Sequence, residues 1–383
     1  MSSAANFQST INPANYGHHR EILKPGYLRR GFLPVADPLC RFPRGSPYAV
    51  LDEVGLGLPQ ALLESSFRRQ MRNLDIPFWV DSGSSNDPAA LRLYYLRIGF
   101  IASAYIHQIG QQSCHSLPVN LAKPLIHVCE RLDRPPILSY DGYALYNWKR
   151  LDPLQPVQLG NIETLQNFVE LYDEHWFILV HVEIEAIAAE ILAAITKIHY
   201  KSRATRNRDL CPEMWGIADA INKQTNVLKR IPEKMDPKLY FIKFRPYIGF
   251  FNKVHFQGID AQPVDLRGET GAQSSIFPVL EALMKIPHEP SILMRHLDDL
   301  RNYMPSQHRQ YIAEVRQLPS LRKKEYRNPF NAILDAMIGF RKVHYSWATE
   351  YIHNRSRDGL GTGGTPYRQW LAQLIDETCR HRF

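Results

Sequence analysis

Apolar residues recur at steps of three and four along most of this chain, and no run alternates at steps of two, so the pattern predicts helices. The clearest segment starts at Asn328, a good capping residue, with Pro329 in a first helical position where its missing N–H costs nothing. From there Phe330, Ile333, Met337, Phe340, His344, Trp347 and Tyr351 share one face of a helix predicted over 328–354. A second long pattern covers 161–200, as one buried helix or two with a kink, and puts Phe177, His181, Ile184, Ala188, Ile191 and Ile195 on a common face. Shorter helices are predicted near 89–108, 213–231, 274–286, 291–303 and 306–317, with Ile231-Pro232 and Pro305 as breaks. The first sixty residues, with Pro13, Pro25, Pro34, Pro38, Pro43, Pro47 and Pro59, show little periodicity and predict an extended arm and loops. The expected fold is mainly α. A smaller, mostly helical N-terminal domain with its Pro-rich arm takes 1–155, a large all-helical domain takes 156–383, and any strands are few and short. The boundary follows the two breaks at Arg134-Pro135-Pro136 and Leu151-Asp152-Pro153-Leu154-Gln155-Pro156.

Composition narrows the class of protein. A length of 383 residues with 44% hydrophobic content supports a substantial core. The net charge of +8 is spread along the chain, with only short clusters such as Arg322-Lys323-Lys324, which reads as a solvated surface and not as a nucleic-acid face. The long apolar run from Trp176 to Ile195 is interrupted by His181, Glu183, Glu185 and Glu190, so no membrane span is expected. Five scattered cysteines argue against a disulfide framework and against paired-cysteine zinc sites. Together with a start, Met1-Ser2-Ser3-Ala4-Ala5-Asn6, that lacks the apolar core of a signal peptide, they suggest a reducing cytoplasm.

His344 is the one polar member of its stripe. An imidazole facing an apolar interior must satisfy its nitrogens with a side chain, a backbone carbonyl, a trapped water or a metal, including haem iron. Other metal and nucleophile patterns are weak. Glu350-Tyr351-Ile352-His353 has the spacing of a carboxylate di-iron motif but occurs once where two are needed, and neither His-Glu-x-x-His nor Gly-x-Ser-x-Gly is present. Gly361-Thr362-Gly363-Gly364-Thr365 lacks the lysine of a phosphate-binding loop, and as a bare pattern is a linker.

Four pieces in order change the weighting: Arg134-Pro135-Pro136-Ile137-Leu138-Ser139-Tyr140, Arg267-Gly268-Glu269-Thr270-Gly271-Ala272-Gln273-Ser274-Ser275, the His344 helix, and the 361–365 run. Together they make the chain, from about residue 120 onward, resemble the indoleamine 2,3-dioxygenase family of haem enzymes, although the loop after His344 is shorter than in animal members. The resemblance implies haem b held by His344 as proximal ligand. It also implies Arg341 near a propionate and Glu281 as the acidic partner on that side. Phe177-Ile178-Leu179-Val180-His181-Val182-Glu183-Ile184-Glu185 resembles the family's distal segment, with Phe177 on the indole and His181 where mammalian members carry serine. By the same carry-over Arg245 takes the substrate carboxylate, Tyr240 and Tyr140 line the pocket, Gly271 leaves room for substrate, and Thr362 reaches its polar end from a closing loop. The implied activity is insertion of both atoms of O₂ across the indole C2–C3 bond of L-tryptophan to give N-formylkynurenine, with an electron donor keeping the haem ferrous. The alternatives are oxygenation of a modified indole or tryptophan in secondary metabolism, and non-catalytic O₂ binding. Without the resemblance Arg245 and Arg341 read as surface charges, and His181 as a core histidine bonded locally or to Glu185.

Overall fold

The computed structural model describes residues 29–80, 87–203, 209–355 and 366–383. Among them the fold is mainly α. Helices α1 (Ala49–Ala61), α2 (Phe67–Arg72), α3 (Pro88–His107) and α4 (Val119–Arg131) precede the long α5 (Tyr172–Arg203) and α6 (Cys211–Leu228). They are followed by α7 (Pro237–Leu239), α8 (Ile276–Met284), α9 (Ile292–Arg301), α10 (Ser306–Arg316), α11 (Arg327–Ala348) and α12 (Tyr367–Arg380). The strands are few and short. β1 (Ser116–Leu117) pairs in parallel with β4 (Phe251–Phe256), β4 pairs antiparallel with β5 (Val264–Leu266), and β2 (Lys149–Arg150) pairs antiparallel with β3 (Ile162–Glu163).

Several boundaries differ from expectation for identifiable reasons. The helix expected from 161 starts at Tyr172, because 162–163 join a strand pair and the Phe168 and Val169 amides donate to the Glu174 carboxylate, both at 2.9 Å. That carboxylate satisfies donors just ahead of the helix, and α5 then runs unbroken to Arg203. Helix α11 starts at Arg327, so Pro329 is its third residue, still within the first turn where no amide partner is needed. Its regular part ends at Ala348, and a wider turn over Thr349–His353 carries Tyr351, whose hydroxyl donates to the Met235 carbonyl at 2.8 Å. Helix α1 forms inside the stretch expected to be extended. Helix α12 was not foreseen, although Tyr367, Trp370, Leu371 and Leu374 stand at helical spacing in it.

Two apolar cores meet at α5. Ile178, Leu179 and Val182 face the first, with Tyr94, Phe100, Trp148 and Phe251, while Val180, Ile184, Ile191 and Ile195 face the second, with Met214, Ile221, Leu280, Phe330 and Met337. Helix α6 lies between α5 and α11, so the two long helices that carry His181 and His344 are tied through one shared neighbour. We propose 1–155 and 156–383 as the two domains; segment 247–256 returns the chain to the first core.

The arm is locked onto α5 at one point. Gly31 has φ +64°, and a Cβ built there would lie 2.0 Å from the Glu185 carbonyl oxygen. Gly31→Ala should therefore cost about 1–3 kcal/mol, read as a lower urea midpoint with unchanged helical circular dichroism. An unchanged midpoint would mean that the arm does not bear on α5.

Candidate functional site

Helices α5, α6, α8, α9, α11 and α12 and the 270–278 segment line a cavity of ≈ 260 Å³. Its wall includes Tyr140, His181, Gly271, Glu281, Arg341 and His344, six of the residues singled out in the sequence. Phe177, Tyr240 and Arg245 adjoin this group without lining the cavity, and Thr362 lies outside the described residues.

The His344 stripe serves two purposes. Phe330, Ile333 and Met337 are fully buried in the second core, whereas Phe340, His344 and Trp347 are only partly covered by protein, and the first two of these line the cavity. His344 is open on the cavity side, and among the described residues nothing hydrogen-bonds its imidazole. The ring is exposed to the cavity but set deep among protein atoms, and this desolvation, with His181 and Arg341 nearby, lowers its pKa. At neutral pH it is thus a neutral imidazole with an available lone pair, the form that ligates a metal.

The opposite wall is set by α5. His181 Nδ1 lies 2.7 Å from the Phe177 carbonyl oxygen one turn earlier. A carbonyl can only accept, so Nδ1 carries the proton and Nε2 is left as an acceptor. Burial lowers the His181 pKa despite that bond, which keeps the ring neutral. Glu185 is not its partner: this buried carboxyl accepts from the Tyr140 hydroxyl at 2.9 Å and from Ser274 Oγ at 2.6 Å. Burial pushes Glu185 up to about 7. Tyr140 therefore offers the cavity its ring and not its hydroxyl.

Arg341 is a buried brace and no surface charge. It stacks on Phe277 with its guanidinium carbon 4.8 Å from the ring centroid, pairs with Glu281 at 2.5 Å, and donates to Thr378 Oγ1 at 2.5 Å and the Leu374 carbonyl at 3.2 Å. Glu281 also faces His288, at 3.7 Å. Burial raises the Glu281 pKa, but His288 and Arg341 outweigh it and hold the carboxyl below its usual range. This network fastens α12 to α11 one turn before His344.

Beside the cavity an aromatic chain links the remaining residues. The Phe177 ring centroid is 4.6 Å from His181 and 5.6 Å from Tyr240, and Tyr140 is 6.0 Å from His181. The turn Tyr240–Phe244 leads into Arg245, which is half-buried, lies 5.2 Å from the Phe241 centroid, and sits against the Tyr240 hydroxyl. Gly271 opens a short turn, and a Cβ there would meet nothing within 4 Å, consistent with its place on the cavity wall. Gly268 is the constrained glycine of that motif: its Cβ would lie 2.4 Å from the Ile248 carbonyl oxygen.

The donor set fits a porphyrin better than a bare ion. Among the described residues no group of three or more His, Cys, Asp or Glu is placed to hold a metal ion. The open His344 imidazole on an apolar wall that includes Phe277, Phe340 and Leu371 suits an iron whose other nitrogens come with the cofactor.

Sequence reasoning passed over Glu185 and Glu269 as site residues. Glu269, 3% exposed, lies between Gly268 and Thr270 in a motif of mostly small residues.

A family model for indoleamine 2,3-dioxygenase matches residues 27–362. Indoleamine 2,3-dioxygenase 1 of Rattus norvegicus is 28% identical over 86% of this chain and 94% of its own length. The myoglobin of Haliotis madaka is 25% identical over 84% of this chain and 88% of its own. The 6-hydroxytryptophan 2,3-dioxygenase fscD of Fusarium equiseti is 24% identical over 85% of this chain and 83% of its own.

Proposed function

Because the chain belongs to the indoleamine 2,3-dioxygenase family of haem-dependent dioxygenases, we propose that it cleaves the indole C2–C3 bond of L-tryptophan with O₂ to give N-formylkynurenine. The observation that carries this reading is the pair of neutral imidazoles, His181 on α5 and His344 on α11, facing each other across an apolar cavity. Haem b held by His344, kept ferrous by an electron donor, supplies the activation of O₂ when bound. The side chains do the rest. Phe177 and Tyr140 present ring faces for the indole, and Arg245 receives the α-carboxylate beside Tyr240. Arg341, committed to Glu281 and α12, holds the proximal helix in place. We place the protein in the cytoplasm; among the described residues no helix is long and apolar enough to cross a membrane.

A modified indole is the second reading, favoured by the Fusarium relative. Direct competition between L-tryptophan and hydroxytryptophans for the purified protein separates the two by their kcat/KM ratio.

His181 gives the sharper test. With Nδ1 tied to Phe177, Nε2 is positioned to accept the indole N–H. His181→Ser should lower kcat/KM for tryptophan by about 10- to 100-fold. The same change should narrow the gap to 1-methyltryptophan, which lacks that hydrogen. Unchanged rates and an unchanged ratio would remove His181 from the chemistry and leave the haem assignment standing.

A further inference from the structure

Tyr140, which lines the cavity beside His181, is held at both ends. Its amide donates to Gln273 Oε1 at 2.8 Å, and Gln273 in turn donates to the Gly268 carbonyl at 2.9 Å, so its backbone is fixed to the turn that precedes α8. Its hydroxyl donates to Glu185 Oε1 at 2.9 Å. The same oxygen accepts from Ser274 Oγ at 2.6 Å, and Ser274 also lines the cavity. Glu185 stands one turn after His181 on α5, behind the wall and not in it. A single carboxyl thus joins the distal helix, the Tyr140 segment and the Ser274 wall.

This is a costly way to fill space. Both donors converge on Oε1, and Oε2 is buried with no hydrogen-bond partner among the described residues. A charge there would be poorly compensated, and burial accordingly raises the pKa of the group. A leucine would occupy a similar volume at a lower desolvation cost; what only an acceptor supplies is a fixed direction for two hydroxyls. With its hydroxyl turned to Glu185, the Tyr140 ring stands at 77° to the His181 ring, 6.0 Å away, and shows the cavity carbon instead of oxygen. We propose that Glu185 is a positioning residue for the indole: through Tyr140 and Ser274 it fixes the Tyr140 ring in the distal wall and keeps the phenolic hydroxyl out of the cavity. The proposal rests on the reading of the cavity as an indole site.

The experiment reads tryptophan turnover, and the infrared C–O stretch of the ferrous carbon monoxide adduct, on the purified haem protein. Haem content and urea midpoint verify the fold of each variant. Glu185→Leu removes the acceptor, Tyr140→Phe removes the donor, and Glu185→Gln keeps an accepting oxygen in the shape of the neutral acid. Glu185→Leu and Tyr140→Phe should each lower kcat/KM for tryptophan by about 10-fold, and the double variant should be no lower than either, because both delete the same tether. Glu185→Gln should recover most of that loss. Glu185→Leu should also add a C–O band as the freed hydroxyl turns to the cavity, and combining it with Tyr140→Phe should abolish that band. Additive losses in the double variant, or parental kinetics and a parental C–O stretch in Glu185→Leu, overturn the proposal. Should Glu185→Leu not fold, Tyr140→Phe decides alone, and a parental kcat/KM overturns the proposal. If the parent protein does not oxidise tryptophan, the proposed function fails, and the C–O stretch decides on Glu185 by itself.

Discussion

His344→Ala protein should purify with little haem while keeping its fold. The imidazole is the one open nitrogen donor placed on the α11 wall, and its loss should exceed the effect of disturbing a ligand's surroundings, on the order of 10- to 100-fold in affinity. Stability of the cofactor-free chain should move by no more than about 0.5 kcal/mol, because His344 makes no hydrogen bond among the described residues and faces the cavity, not the packed half of the stripe. Added imidazole should restore a five-coordinate haem spectrum, since it replaces the missing donor in a space that already exists. Normal haem content with unchanged axial-ligand spectra would falsify the ligand assignment; loss of helical circular dichroism would instead make His344 a packing residue.

Arg245→Ala should raise the tryptophan KM far more than it disturbs folding. Its guanidinium is half-buried against Tyr240, and a desolvated carboxylate contact of this kind contributes about 2–4 kcal/mol, on the order of 30- to 1,000-fold in binding. Its contact with Phe241 contributes about 0.5–1 kcal/mol to stability, which the urea midpoint of the variant reads separately from KM. Tryptamine, lacking the carboxylate, should be bound almost as well by the variant as by the parent. Equal tryptophan affinity in variant and parent would place Arg245 outside the substrate site.

The long helices were legible in the sequence because burial imposes a period that a single chain displays without partners. Helix α11 shows both the strength and the limit of that signal. Its stripe from Phe330 to Tyr351 marks a face turned inward, but the same spacing serves a packed core at Ile333 and Met337 and a cavity wall at Phe340 and His344. Periodicity reports which side faces inward and says nothing about whether the space there is filled. The role of Arg341 was obscured for a related reason: its partners Glu281, Leu374 and Thr378 lie 33 to 60 residues away, two of them on α12. The start of α5 depended on the Glu174 side chain bonding the amides ahead of it, a local hydrogen-bond contest that apolar spacing does not record. The burial of Glu269 depends on Gly268 packing against the Ile248–Gly249 backbone and on Gln273 bonding the Gly268 carbonyl, contacts that apolar spacing does not record.

The most direct test of the account is an absorbance experiment on the purified, haem-loaded protein. Reduced to the ferrous state and exposed to O₂ with L-tryptophan, it should show a tryptophan-dependent change in the haem spectrum followed by steady growth of the N-formylkynurenine band. A stable oxygenated spectrum that tryptophan neither shifts nor discharges, with no formylkynurenine formed, would contradict the proposed dioxygenase and identify an O₂-binding protein.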